Sequence, residues 1–121
     1  MTVLTEGRHT AEYILSEANG HRSREVGTLL AGNKLVPGTV LGRITASSKL
    51  TVLTPGASDG SQNAAGVLYD DVDATAADKA AVYTARDSEV KGLALTWPAG
   101  ISAPDKTAAI TALAALGIIV R

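Results

Sequence analysis

Between residues 26 and 98 the apolar side chains come in short runs, and each run is closed by Pro, Gly, Asp, Ser or another polar residue. That punctuation favours short strands, because a helix needs an apolar period of about 3.6 residues sustained over several turns. The strongest break is Val36-Pro37-Gly38-Thr39, where proline presets a φ near about −65° that suits a turn. After it, Val40, Gly42 and Ile44 alternate with Leu41, Arg43 and Thr45, the period of two of a strand. Leu50-Thr51-Val52-Leu53 repeats the pattern after Ser47-Ser48, so the two segments are expected to pair through a short turn. Thr54-Pro55-Gly56 closes this unit, and residues 58–63 read as a polar loop. Residues 65–69 read as a buried strand and residues 70–78, rich in aspartate, as a surface turn. Residues 80–85 and 90–95 are expected to form two more strands, separated by Arg86-Asp87-Ser88-Glu89. Trp97-Pro98 ends the sheet region, since proline offers no ladder donor.

One helix is legible. Ser102-Ala103-Pro104-Asp105 supplies a serine N-cap, a proline in the first turn and an acid three residues after the cap. Ala108, Ala109, Ala112, Ala114 and Ala115 favour continuation, and Ile110, Leu113, Leu116 and Gly117 are expected to mark its apolar side. Gly117 suits the C′ position, and Ile118-Ile119-Val120 reads as a returning strand.

The first 25 residues differ from this body. They hold both histidines, His9 and His21, together with Arg8, Arg22, Arg24 and the four glutamates Glu6, Glu12, Glu17 and Glu25. Their one compact apolar cluster is Tyr13-Ile14-Leu15, and Asn19-Gly20 marks a turn. Such a segment buries too little apolar surface to offset its own ordering entropy. The expectation is therefore an extended arm over residues 1–25 and a single globular unit over residues 26–121.

The core of that unit is thin. The chain of 121 residues has 13 Leu, 10 Val and 6 Ile, but no Phe, and 21 alanines make up much of its apolar content. Burial through self-association would add what a chain of this size lacks. Acidic and basic side chains nearly cancel to a net charge of −1, which argues against a partner bound through phosphate neutralisation. No basic amphipathic face points to a membrane surface, and no apolar run approaches the ~18–20 residues of a spanning helix. Cysteine is absent, which excludes disulfides, thiolate metal sites and cysteine nucleophiles. Met1 to Thr10 lack the charge and apolar pattern of a secretory signal, so a soluble product made in a cytoplasm is expected.

Candidate chemistry is sparse. His9 and His21 lie in the polar segment without an apolar pocket around them in sequence, and read as solvated. An EF-hand loop starting at Asp71 would need glycine and glutamate where Ala76 and Val82 stand. The run from Gly27 to Lys34 resembles a phosphate-binding loop, but Asn33 displaces the lysine and Leu35 replaces the hydroxyl residue. No serine sits in a nucleophile elbow. No catalytic residue, metal ligand or cofactor is assigned. Trp97, with Pro98, is better explained by packing or a subunit contact than by ligand binding.

Four stretches carry a likeness to a known family. They are Arg8-His9-Thr10-Ala11-Glu12-Tyr13-Ile14-Leu15-Ser16-Glu17-Ala18-Asn19-Gly20 with Arg22-Ser23-Arg24-Glu25, then Asp59-Gly60-Ser61-Gln62 with Ala65-Gly66-Val67-Leu68-Tyr69. Leu95-Thr96-Trp97-Pro98 and the closing Gly117-Ile118-Ile119-Val120 complete the set. With these in order, the chain resembles the head decoration proteins of tailed bacteriophages, the lambda protein D-like family. The Ser-Glu-Ala-Asn-Gly run at 16–20 is similar to that of the shorter-bodied relatives.

The resemblance implies an α+β, β-rich fold of short strands, partly open and barrel-like, with one C-terminal helix and the extended arm. It implies a homotrimer on the outer surface of the virion, at three-fold and quasi-three-fold positions of the expanded head, clamping the major capsid protein against the pressure of packaged DNA. No catalysis, cofactor, direct nucleic-acid contact, membrane or small-molecule substrate is implied. The arm would add a strand to a sheet edge of the capsid protein. Its candidate contact residues are Thr10, Glu12, Tyr13, Ile14, Leu15, Ser16, Glu17, Asn19, Arg22 and Arg24. The rival reading is a small-ligand or sugar-binding β domain, suggested by the turn-strand pattern at residues 36–42, although the aromatic platforms of such sites are missing.

Overall fold

Period-two alternation across residues 24–84 closes into a barrel in the computed structural model, which describes residues 6–121. Residues 1–5 of the expected arm lie outside the described residues. In chain order the strands are β1 (Ile14–Glu17), β2 (Arg24–Leu29), β3 (Asn33–Leu35), β4 (Val40–Arg43), β5 (Leu50–Val52), β6 (Ala64–Leu68), β7 (Val72–Ala74), β8 (Lys79–Thr84) and β9 (Ser88–Val90). A 3-10 turn (Gly92–Ala94), helix α1 (Ala103–Ala115) and strand β10 (Ile118–Val120) complete the chain. The fold is β-rich with one C-terminal helix, as expected.

The barrel runs β2-β5-β4-β6-β8. The expected hairpin is its centre, with Leu41 opposite Val52 and Arg43 opposite Leu50. Closure rests on a single parallel pair, Leu29 with Leu50, backed by the Leu30 amide donating to the Leu50 carbonyl at 2.8 Å. This seam is short because β5 has only three residues.

Two small cores share the barrel wall. Leu29, Leu41, Leu50, Leu68, Ala81 and Tyr83 fill the interior. Their neighbours Val40 and Val67, paired across β4 and β6, belong to a second core with Tyr13, Val90, Leu113 and Ile118. Alternation thus sends consecutive apolar residues to opposite cores, and strands buried on both faces read as continuous apolar runs. The absence of Phe is accommodated in this way, because neither core is wide.

The second core is closed by α1 and by a sheet in the order β1-β9-β10. Helix α1 begins as its sequence dictates, with the Ser102 hydroxyl accepting from the Asp105 amide at 3.2 Å, and Gly117 follows its end at φ 89°. Its buried side differs from the expected stripe. Ala109 and Leu113 face the core, whereas Ile110 is half-buried and Leu116 is exposed. Alanine at the contact lets the helix lie close to the wall, so the smaller residue occupies the buried position.

Two further segments depart from expectation. Residues 70–78 are not only a surface turn, because β7 pairs antiparallel with β3 and Ala74 is fully buried. Residues 90–95 do not form one strand. Strand β9 ends at Val90, and the Gly92 amide turns to the Arg121 carbonyl at 2.9 Å as the 3-10 turn begins. Gly92 lets Val120 pack close by, since a Cβ there would lie 3.1 Å from the valine side chain.

Candidate functional site

The segment expected to lie apart as an arm is joined to the body from Ala11 onward. The Ala11 amide donates to the Tyr69 carbonyl at 3.1 Å, and Ala11 itself has φ 62°, which turns the chain inward. Tyr13 then enters the second core with no exposed surface. Its hydroxyl lies 2.6 Å from Thr84 Oγ1 and 3.3 Å from the Val67 carbonyl, and burial pushes the phenol pKa well above its ordinary value. The sequence reading placed this tyrosine on a surface kept for a partner. The difference arises because a ring of this size adds buried volume that a Phe-free core otherwise lacks.

Residues 14–17 pair as β1 with β9, Ile14 opposite Val90 and Glu17 opposite Ser88. A register shift between Ile14 and Ser16 leaves Ile14 half-buried and Leu15 exposed by 54%. Ser16 donates to Glu89 Oε1 at 2.9 Å, and Arg121 donates to Glu89 Oε2 at 2.8 Å, so one carboxylate ties all three strands of the small sheet. Those two donors, Arg121 foremost, hold the Glu89 pKa below its usual range.

A polar junction fixes the next turn. Glu17 Oε2 accepts from Ser23 at 2.7 Å, and its other oxygen accepts from Arg24. Burial works against the Glu17 carboxylate, but hydrogen bonds from Arg24 and Ser23 outweigh it and lower its pKa. The Arg24 guanidinium also lies over the Tyr69 ring, 4.2 Å from its centroid. Asn19 and Arg22 are exposed on the intervening turn, where Arg22 pairs with Asp87 at 3.5 Å.

The structure therefore divides the candidate residues. Tyr13, Glu17 and Arg24 hold the fold together, whereas Thr10, Glu12, Leu15, Ser16, Asn19 and Arg22 are open to solvent. Trp97 is half-buried against the second core, with Lys106 Nζ 5.3 Å from the ring centroid, and Pro98 is half-buried beside it. The indole Nε1 is buried without a hydrogen-bond partner.

Ahead of Ala11 the ties are few. Thr10 donates to Asp70 Oδ1 at 2.6 Å, and an Arg8 guanidinium nitrogen donates to the Ala94 carbonyl. The second contact brings Arg8 against the 3-10 turn, whose Leu93 is exposed by 90%. Sequence reading missed this juxtaposition by treating residues 90–95 as a strand. Gly92 in the middle of that run was the available signal.

His9 and His21 are both exposed, and His9 Nε2 faces the Glu6 carboxylate at 2.8 Å. Three of the four aspartates in residues 70–78, Asp70, Asp73 and Asp78, are held by protein donors. Asp73 accepts from the Thr75 hydroxyl and amide, and Asp78 accepts from the Ala31 amide at 2.8 Å and pairs with Lys49. The geometry is that of a small protein presenting surface and an N-terminal lead.

Comparison with known sequences gives that geometry a context. No curated protein matches the chain. The family model described as bacteriophage lambda head decoration protein D matches residues 3–118. That match runs from the N-terminal lead through the barrel and helix to the first residue of β10, and the family is one of structural proteins of the phage head. The chain belongs to the bacteriophage lambda head decoration protein D family.

Proposed function

We propose that this protein acts as a homotrimer on the outer surface of the phage head, bridging major capsid subunits at three-fold and quasi-three-fold positions. Its work there is mechanical, resisting the outward pressure of packaged DNA. The observation that carries the reading is the family match over residues 3–118. It also favours decoration over a ligand-binding β domain.

The N-terminal lead is the proposed point of attachment. Residues ahead of Ala11 precede the Tyr13 anchor, and they would add themselves to a sheet edge of the capsid protein through backbone hydrogen bonds. One such contact is weak, because ordering the segment offsets part of the gain. Three leads on one trimer make the later contacts intramolecular, raising avidity by roughly 10²–10⁴ when the receiving edges have the right separation. The same arithmetic predicts weaker attachment to unexpanded shells, where that separation differs.

The test combines two measurements. Light scattering on the free protein should give three times the 12.3 kDa chain mass. Heads lacking decoration protein should then carry the protein with them through sedimentation. A monomer, or protein left wholly in the supernatant, overturns the proposal.

A further inference from the structure

Among the described residues Leu93 is the most exposed large apolar side chain, at 90%. A single exposed leucine is ordinary on a protein surface. This one has three unusual circumstances.

First, it is held firmly. The Lys91 amide donates to the Tyr13 carbonyl at 2.8 Å, and the Gly92 amide to the Arg121 carbonyl at 2.9 Å, so the turn carrying Leu93 is tied to the residue before β1 and to the residue after β10. Second, the turn abuts another that also exposes an apolar residue. Gly38 has φ 89°, and a Cβ there would lie 2.7 Å from the Ala94 carbonyl, so the two backbones meet with no side chain between them. Val36, exposed by 40%, stands two residues before that contact. It borders a largely apolar groove of about 300 Å³ lined by Lys34, Leu35, Val36, Asp71, Val72 and Asp73. Third, residues ahead of Tyr13 lie against this surface. Arg8 donates to the Ala94 carbonyl and Thr10 to Asp70, next to the groove residue Asp71.

We infer that Leu93 and the Val36 groove form the surface that seats on the head shell, alongside the N-terminal lead. The inference rests on the decoration reading above and adds the side chains that would make the second contact. The partner is the shell protein, because Arg8 and Thr10 hold the segment proposed to bind it against this surface. The fitting surface on the shell presents an apolar side chain for the groove, flanked by a lysine or arginine to face Asp71 on the side away from Lys34. Backbone pairing by the lead would supply register, and this apolar seat would fix the angle at which the body stands.

The experiment compares Leu93→Ser, Asp71→Lys and Val26→Ser with the unaltered protein, in sedimentation with undecorated heads at two salt concentrations. Val26 is exposed by 70% on β2 and serves as an apolar comparator. Leu93→Ser should weaken attachment roughly ten- to hundredfold per subunit, the range expected for losing one buried leucine. Asp71→Lys should weaken it too, with the larger effect at low salt. Val26→Ser should bind as the unaltered protein does. Circular dichroism and light scattering confirm that each variant keeps its fold and mass. If Leu93→Ser and Asp71→Lys bind normally while the unaltered protein binds, the assigned surface is wrong and decoration stands. Equal weakening by Val26→Ser also overturns the assignment. If the unaltered protein fails to bind, the decoration reading falls and takes this inference with it.

Discussion

The Tyr13 hydroxyl lies 2.6 Å from Thr84 Oγ1, and both residues are fully buried. One comes from the N-terminal segment and the other from the last barrel strand, so this contact ties the start of β1 to the barrel wall. Tyr13→Phe keeps the ring but leaves the Thr84 hydroxyl without that partner, and should destabilise the protein by about 1–3 kcal/mol. Tyr13→Ala also empties space in the second core and should cost about 3–5 kcal/mol. Urea unfolding followed by circular dichroism measures both. An alanine variant as stable as the native chain would mean that Tyr13 is outside the core in solution.

Gly38 is required by the meeting of two turns. Its φ of 89° is costly for other residues, and an added Cβ would lie 2.7 Å from the Ala94 carbonyl. Gly38→Ala must therefore strain its own backbone and push the 3-10 turn away, a loss of about 1–3 kcal/mol. The shift would also disturb the carbonyl that Arg8 uses. Thermal unfolding should show a lower midpoint for Gly38→Ala, with no comparable change for Gly56→Ala, where a Cβ meets nothing within 4 Å.

Much of this fold was legible because its signals are local. The β4–β5 hairpin followed from alternation and a turn, and the helix ends followed from Ser102 and Gly117. What was not legible depends on contacts distant in sequence. Nothing around Tyr13-Ile14-Leu15 says that the ring reaches a threonine 71 positions away, and a polar neighbourhood correctly signals only that the segment cannot fold alone. Strand β7 was hidden for the same reason, since its partner β3 lies far back in the chain and its flanking aspartates resemble a turn. The candidate surface was legible only as a list of residues. The position of Ala94 beside Arg8 and Gly38 needs the 3-10 turn that begins at Gly92.

Acid should loosen the β1–β2 junction. The Glu17 pKa is lowered in the folded protein, with hydrogen bonds from Arg24 and Ser23 overcoming the cost of burial. A depressed carboxylate contributes stability that is complete above its unfolded-state pKa and lost as pH falls through the folded value. Glu17→Gln should therefore be less stable than the native chain at neutral pH, and the gap should shrink as pH falls below the ordinary glutamate pKa of about 4.3. The side chains are only 20% and 24% exposed, so moderate salt should screen the pair less than it screens Arg121–Glu89, where exposure is 63% and 41%. Urea titrations across that pH range, at two salt concentrations, measure both effects. A gap that stays constant with pH would show that Glu17 acts through packing rather than charge.

Two truncations separate attachment from folding. Removing residues 1–8 takes away the Arg8 contact with Ala94 but leaves Thr10, the Ala11 amide bond and Tyr13 in place. That protein should fold, keep the oligomeric state of the full-length form, and lose most of its affinity for undecorated heads, because each trimer would forfeit three leads at once. Removing residues 1–24 instead deletes Tyr13, all of β1 and the Arg24 side of the polar junction. The loss of a buried tyrosine alone is a large fraction of the 5–15 kcal/mol that typically holds a domain together. The longer deletion should therefore be unfolded or aggregated at 25 °C by circular dichroism, with no head binding to interpret. A folded, soluble product from the longer deletion would show that the first 24 residues are a dispensable arm and that the Tyr13 anchor carries little stability. A shorter deletion that still binds heads at full strength would move the attachment point from the lead to the body.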